Sequence, residues 1–122
     1  MAKVVLCGLD AGAILQASRV IDSNQHQIVP LPGTAPVHAC LDADIVFACA
    51  DRNAYVPLLR AIRKARQEMA FIVVSRLPET AEWLDALEAG ATDYCALPLD
   101  RQQVCALLEA AAPRLRAAAA AA

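Results

Sequence analysis

Residues 45–75, IVFACADRNAYVPLLRAIRKARQEMAFIVVS, contain two short apolar runs on either side of a longer charged segment. The runs Ile45–Cys49 and Phe71–Ser75 are almost continuously apolar, which is typical of strands buried on both faces of a sheet. Between them, Leu58, Leu59 and Ile62 recur at the spacing of one helix face. A strand, a helix and a second strand in this order predict a right-handed crossover between parallel strands.

The polar side of this central helix is strongly basic, and its members are Arg60, Arg63, Lys64 and Arg66. We interpret it as the solvated side of an amphipathic helix, with docking of an acidic partner as the alternative. Pro57 is expected in the first turn of the helix, where its missing N–H does no harm.

The alternation of strands and helices extends toward the N-terminus. Val4–Cys7 reads as a strand ending at Gly8, and Asp10 is placed to cap a following helix whose apolar stripe is Ile14, Leu15, Val20 and Ile21. His26–Leu31 is a weaker strand, which Pro30 and Pro32 place at an edge of the sheet. A short helix is predicted from about residue 36 to residue 41.

Two more units follow Ser75. A helix is predicted over residues 79–89, with Gly90 as its C-cap and with Trp83, Leu84 and Leu87 on one face. Thr92–Ala96 is the fifth strand. Asp100 begins the last helix, with Gln103 as its capping-box partner and a core stripe of Val104, Leu107 and Leu108.

Five strand–helix units predict an α/β, flavodoxin-like, doubly wound domain: a five-stranded parallel sheet of order 2-1-3-4-5 with helices on both faces. Residues 1–112 are assigned to this single domain, and residues 113–122 to an alanine-rich tail or linker stub. In such sheets functional sites collect at the carboxyl ends of the strands.

Composition argues against several classes of function. A net charge of −2 gives no reason to expect nucleic-acid binding. No apolar run is long enough for a membrane span and no signal peptide is evident, so a cytoplasmic location is expected. Five cysteines without CxxC spacing fit neither a disulfide framework nor a zinc site, so we expect no metal and no cofactor.

Three segments in the second half share a pattern with one family. They are Val73-Val74-Ser75, the run LEAGATDY at residues 87–94, and Leu97-Pro98-Leu99. They resemble an apolar strand ending in Thr or Ser, the motif ALEAGADDY and the motif KPF or KPL of response-regulator receiver domains in two-component signalling. The spacing from Ser75 to Tyr94 fits without a gap, and Asp44-Ile45-Val46 resembles the start of the receiver's phosphoacceptor strand.

The resemblance also implies which residues should form the phosphorylation pocket, and most are replaced. Gly8 and Leu9 stand where receivers carry the two acids that hold Mg²⁺. Cys49 stands at the phosphoacceptor aspartate, and Leu97 at the lysine that pairs with the phosphoryl group. The chain therefore resembles a degenerate, or pseudo-, receiver, since phosphoryl transfer depends on positioned charge.

Four further residues complete the comparison with receivers. Ser75 and Tyr94 match the hydroxyl and aromatic positions of the receiver switch. Asp10 and Asp51 are the remaining acids close enough in sequence to approach the pocket.

The resemblance implies a non-enzymatic signalling module that acts on a protein partner or an attached output domain. Such a module is expected to form a homodimer through the helix at 79–89, the fifth strand and the last helix. Trp83 and Tyr94 are the interface candidates, although a core position is favoured for Trp83.

Two alternatives remain. One is a thiol redox sensor at Cys49, activated by Arg52 or Arg76, against the simpler interpretation that Cys7, Cys49 and Cys95 are small buried hydrophobic residues. The other is a small-molecule site at the strand ends.

Overall fold

The apolar runs form one parallel sheet in the computed structural model, which describes residues 2–21, 26–33, 36–76, 79–97 and 99–110. Its strands lie in the order β2-β1-β3-β4-β5, and every neighbouring pair is parallel. The predicted order and the edge position of the second strand are confirmed. The strands are β1 (Ala2–Cys7), β2 (His26–Leu31), β3 (Ile45–Cys49), β4 (Ala70–Ser75) and β5 (Asp93–Ala96).

Helices cover both faces of the sheet, as predicted. They are α1 (Ala11–Val20), α2 (Arg52–Ala65), α3 (Thr80–Ala89) and α4 (101–110). Alternate residues of the central strands point to opposite faces, so Phe71 packs on the side of α2 and α3 while Ile72 packs on the side of α1 and α4. Both side chains are fully buried, and the doubly wound architecture follows from this alternation.

The connection from β2 to β3 differs from the prediction. Of the helix expected over residues 36–41, only a 3-10 turn at Val37–Ala39 forms. Its hydrogen bonds are of the i to i+3 type, with Cys40 N donating to Val37 O at 2.9 Å. The chain has no room for a longer helix, because Asp44 N already donates to Lys3 O beside β1 at 2.9 Å.

Pro57 lies in the interior of α2, so its predicted place in the first turn is wrong. Asp51 is the N-cap of α2 and the helix begins at Arg52, which puts Pro57 in the second turn. A helical residue there would donate its N–H to the carbonyl of Asn53, and proline cannot. Both Asn53 and Pro57 are exposed, so water can solvate the carbonyl that the proline leaves unpaired.

Two of the four basic residues predicted on the solvated side of α2 are not simply solvated, and one of them, Arg66, is the C-cap that follows the helix. Arg63 donates to Gly90 O at 2.9 Å and to Met69 O at 2.6 Å, and its third contact is Thr92 Oγ1 at 3.3 Å. Arg66 donates to Leu41 O at 2.8 Å and to Ala43 O at 2.7 Å. These side chains tie α2 to neighbouring loops, and Arg60 and Lys64 remain exposed.

The buried stripe of α1 is also narrower than predicted. Ala13 and Ala17 are buried, together with Ile21 at the C-cap, whereas Leu15 is 54% exposed. Small side chains at this spacing let the helix backbone approach the sheet closely.

Candidate functional site

Gly8 ends β1 in a conformation that few other residues adopt. Its φ is +73°, and its N–H donates to Leu31 O at 2.9 Å. A Cβ at this position would lie 3.2 Å from the Cα of Gly33 and 3.6 Å from the Cβ of Cys49. Gly8 is therefore a turn residue at a close backbone approach, and it brings no carboxylate to this position.

The carboxyl ends of β1, β3, β4 and β5 meet around a cavity of about 420 Å³. All five residues that the resemblance placed in the receiver pocket line it, and they are Gly8, Leu9, Cys49, Ser75 and Leu97. The fold brings them together because each follows or ends a neighbouring parallel strand. Apart from Cys49 and Ser75, they offer the cavity no polar side chain.

Asp10 and Arg76 form an ion pair in the wall of this cavity. Asp10 also caps α1, because its Oδ1 accepts from Ala13 N at 2.8 Å. The Ala13 N–H, and then the Arg76 side chain, lower the pKa of the Asp10 carboxyl below its ordinary value. Arg76 was considered from sequence only as a cation beside a thiol, and its pairing with Asp10 is set by the sheet order.

Asp51, the second remaining acid, lies outside the 420 Å³ cavity and lines a smaller one of about 140 Å³. Its side chain caps α2, with Oδ1 accepting from Asn53 N at 3.1 Å. Cys7, Gly8 and Cys49 line the same small cavity. Asp10 and Asp51 thus each cap the first turn of a helix.

Tyr94 connects the cavity to α3. Its ring is buried, and its hydroxyl donates to Glu82 Oε2 at 2.8 Å. Burial raises the pKa of Tyr94, a hydrogen bond with Ser75 opposes this shift, and Glu82 adds to it. Ser75 and Glu82 both line the 420 Å³ cavity, so Tyr94 links two of its walls. No pattern in the sequence indicated the role of Glu82.

Trp83 is on the surface, so the core position that was favoured for it is wrong. It is 48% exposed, and its neighbours Leu84 and Leu87 are 54% and 39% exposed. The buried residue of α3 is Ala86, which is small enough to bring that helix close to the sheet. The apolar face of α3 therefore points outward, and we call Trp83, Leu84 and Leu87 the α3 patch.

The cysteines divide into two groups. Cys7, Cys40 and Cys95 are buried, and Cys49 and Cys105 are exposed. Burial raises the pKa of Cys95 to about 12, which leaves its thiol protonated and unreactive at neutral pH. The interpretation of Cys49 as a buried hydrophobic residue is wrong.

The described part of the chain has neither a candidate metal-binding group nor a candidate membrane-spanning helix. Within the described ranges, no three or more His, Cys, Asp or Glu side chains form a group that could hold a metal ion. Among the helices of those ranges, none is both long and apolar enough to cross a membrane.

The fold is that of receiver domains. No family model matches the sequence, and no curated protein matches it. The solved structure of the BeF3-activated DrrB receiver domain is similar, with a TM-score of 0.79 and 18% identity over 93% of this chain and 98% of that chain. NtrX from Brucella abortus matches with a TM-score of 0.77 and 16% identity over 98% of this chain but 29% of that chain.

A putative pilus assembly protein, CpaE, from Burkholderia thailandensis has the same fold. Its TM-score is 0.75, with 17% identity over 93% of this chain and 99% of that chain. Identities this low show a shared fold and leave function to the residues of the site.

Proposed function

We propose that the chain is a degenerate receiver module, which regulates other proteins by contact and accepts no phosphoryl group on aspartate. The observation that carries the proposal is the residue set of the 420 Å³ cavity. Where the resemblance requires two metal-binding acids and a phosphoacceptor, the cavity has Gly8, Leu9 and Cys49. Without those carboxylates, the positions that bind Mg²⁺ in receivers offer no hard oxygen ligand, and the phosphoryl group has no acceptor at its usual position.

The two remaining acids support the same conclusion. Asp10 accepts from the first turn of α1 and pairs with Arg76, and Asp51 accepts from the first turn of α2. Phosphorylation of either carboxylate would remove a helix cap, at a cost to stability. The proposed role is therefore regulatory and not enzymatic.

Incubation with acetyl phosphate and Mg²⁺, followed by intact-mass measurement, tests the loss of phosphorylation. We expect no mass gain, while a phosphorylatable receiver treated in parallel gains one phosphoryl group. A stable phosphoryl adduct mapped to Asp10 or Asp51 would overturn the proposal.

The α3 patch is the contact surface that we propose, and its occupant is a second copy of the chain. A patch of three large apolar side chains can bury itself against its own copy about a two-fold axis. The ion pair of Arg52 and Asp85, 2.7 Å apart beside the patch, places both signs of charge next to each other. Two copies can exchange these partners, so that Arg52 of each faces Asp85 of the other.

Light scattering after size-exclusion chromatography measures this association. We expect a concentration-dependent dimer that Leu84→Glu abolishes. Leu15→Glu is the matched control, because Leu15 is also 54% exposed but lies on α1. A monomer at all concentrations, or equal effects of the two variants, would exclude the α3 patch as a homodimer surface.

The signal would pass to a partner or to an attached output domain. The likeness to NtrX, where the matched part is 29% of a longer chain, supports an attached domain as one arrangement. Small-molecule binding in the 420 Å³ cavity stays a prediction, and a thermal-shift screen with nucleotides and metabolites tests it.

A further inference from the structure

The cavity of about 140 Å³ lies on the α2 side of the sheet, beside the 420 Å³ cavity. Its floor belongs to the core, because Tyr55 and Leu58 are buried. Small side chains leave the space open, and those that line it are Cys7, Gly8, Gly33, Ala48, Cys49 and Ala54. An apolar cavity of about 150 Å³ takes up a molecule the size of benzene. The space therefore has room for one aromatic ring.

This cavity adjoins a groove of about 490 Å³ along α2. Four residues line both spaces, and they are Gly33, Asp51, Ala54 and Leu58. Val37, Pro57 and Ala61 give the outer part of the groove a mainly apolar wall. A single small molecule can therefore place one end in the cavity and the other end in the groove.

Asp51 is the charged residue at the junction of the two spaces. Among the described residues it takes part in no ion pair, and its Oδ1 accepts from Asn53 N at 3.1 Å. The neighbouring cation, Arg52, is paired with Asp85 at 2.7 Å. No lysine, arginine or histidine of the described ranges lines either space. The junction therefore carries a negative charge without a counter-ion from those ranges.

Pro57 adds a second acceptor to the groove. Because proline has no N–H, Asn53 O lacks the donor that a helix normally supplies. Helical carbonyls point along the axis toward residue i+4, so this oxygen lies on the side of Pro57, and both residues line the groove. Two acceptors without a cationic side chain suit a ligand that carries positive charge and donates hydrogen bonds.

We propose that these two spaces bind a small arylalkylammonium ion, that is, a primary amine joined through a short chain to one aromatic ring. The ring fills the 140 Å³ cavity, and the ammonium donates to the carboxylate of Asp51 and to Asn53 O. Of the described residues that line the 140 Å³ cavity, only Gly8 and Cys49 also line the 420 Å³ cavity. The site does not depend on the proposed receiver role, and its test uses no phosphoryl donor.

Isothermal titration calorimetry of the full chain at neutral pH tests the charge of the ligand. Benzylamine is the probe, and benzyl alcohol is the matched neutral molecule with the same ring. We expect benzylamine to bind about fivefold more tightly, as an exposed pair of charges allows. Equal affinities, or no detectable binding of benzylamine, would overturn the proposal.

Asp51→Asn removes the charge and keeps the cap of α2, because asparagine is as good an N-cap as aspartate. It should weaken the binding of benzylamine by about fivefold and leave that of benzyl alcohol unchanged. Asp10→Asn is the matched control, since Asp10 also caps a helix but lines the 420 Å³ cavity. Equal effects of the two substitutions on benzylamine would contradict the role of Asp51.

Ala54→Leu tests where the ring lies. Ala54 lines both spaces from the first turn of α2, where leucine suits the helix, and the larger side chain should abolish the binding of both molecules. Amide chemical shifts of the unmodified protein give the location independently, also if Ala54→Leu does not fold. Benzylamine should shift the amides of Gly33 and Ala54, whereas the largest changes at Ser75 and Leu97 would place it in the 420 Å³ cavity and overturn the proposal.

Discussion

At the scale of the residue, Arg63 connects α2 by hydrogen bonds to the segments just before two strands. These segments lie far from the cavities. Its acceptors precede β4 and β5, and they are Met69 O, Gly90 O and Thr92 Oγ1. Thr92 Oγ1 in turn accepts from Phe71 N at 3.1 Å. One side chain thus serves the start of both strands, which explains why a helix face rich in arginine is only partly solvated.

Replacing Arg63 by methionine should lower the free energy of unfolding by about 2 kcal/mol, because several oxygen acceptors lose a charged donor. Urea unfolding followed by circular dichroism measures the change. Arg60→Met, on the exposed side of the same helix, should change stability by less than about 0.5 kcal/mol. Equal effects of the two substitutions would show that Arg63 is only a surface charge.

The lowered pKa of Asp10 predicts how the stability of the fold depends on pH. The Ala13 N–H and Arg76 stabilise its charged form, so its pKa in the folded protein lies below the ordinary value. A lowered pKa stabilises the fold above the pKa of the unfolded chain, and this stabilisation is lost as the pH falls through the folded pKa. NMR titration of the Asp10 carboxyl should therefore give a low pKa.

The Arg76→Gln variant separates the two causes. Its Asp10 pKa should rise but stay below the ordinary value, because the Ala13 N–H is the larger cause and remains. An unchanged pKa in Arg76→Gln would show that the ion pair does not persist in solution.

At the scale of the element, the helices differ in how their ends are capped and in how fully they pack against the sheet. α1 and α2 begin at aspartate caps, and Asp100 Oδ2 accepts from Gln103 N at 3.1 Å at the start of α4. α3 has no side-chain cap at its start and ends at Gly90, whose φ is +109°. Its outward apolar face makes α3 the helix whose packing is most incomplete within a single copy.

Pro57→Ala should stabilise the protein by about 1 kcal/mol. The substitution restores an N–H to the second turn of α2, where it can bond Asn53 O, and it removes the ring from a helix interior. Part of that gain is offset by the greater freedom of the unfolded chain. Urea unfolding measures the change, and a loss of stability would indicate that the proline ring is needed for the packing of α2.

At the scale of the whole molecule, the sheet gathers the strand ends into two adjoining cavities that share Gly8 and Cys49. One cavity holds the ion pair of Asp10 and Arg76, and the other has Cys7 in its wall. Cys49, whose side chain is exposed, therefore lines both cavities.

The domain boundary gives a prediction at the same scale. Residues 111–122 lie outside the described ranges, so the assignment of residues 113–122 to a tail stays a prediction. Deletion of residues 113–122 should leave the Tm unchanged within about 2 °C, because alanine-rich sequence offers little apolar surface to bury. Differential scanning calorimetry measures this, and a marked fall in Tm would show that the tail belongs to the domain.

The sequence by itself determined the alternation of elements, the parallel sheet and its order. Buried parallel strands read as continuous apolar runs, and Asp10, Gly90 and Asp100 mark helix ends through local backbone chemistry, which requires no knowledge of distant contacts. The bounds of β2 and β3 were predicted to the residue for the same reason. The five pocket positions were located through the resemblance to receivers and the rule that strand ends meet at one edge.

Only the tertiary structure decided which side of each helix is covered and which distant side chains meet. Trp83 and Leu15 have helical spacing that suits a core, but alanines on the neighbouring faces pack against the sheet instead. The contacts of Arg63 with Gly90, and of Arg76 with Asp10, span 27 and 66 positions. Such pairings depend on the crossing of whole elements, and no local pattern in the sequence encodes that geometry.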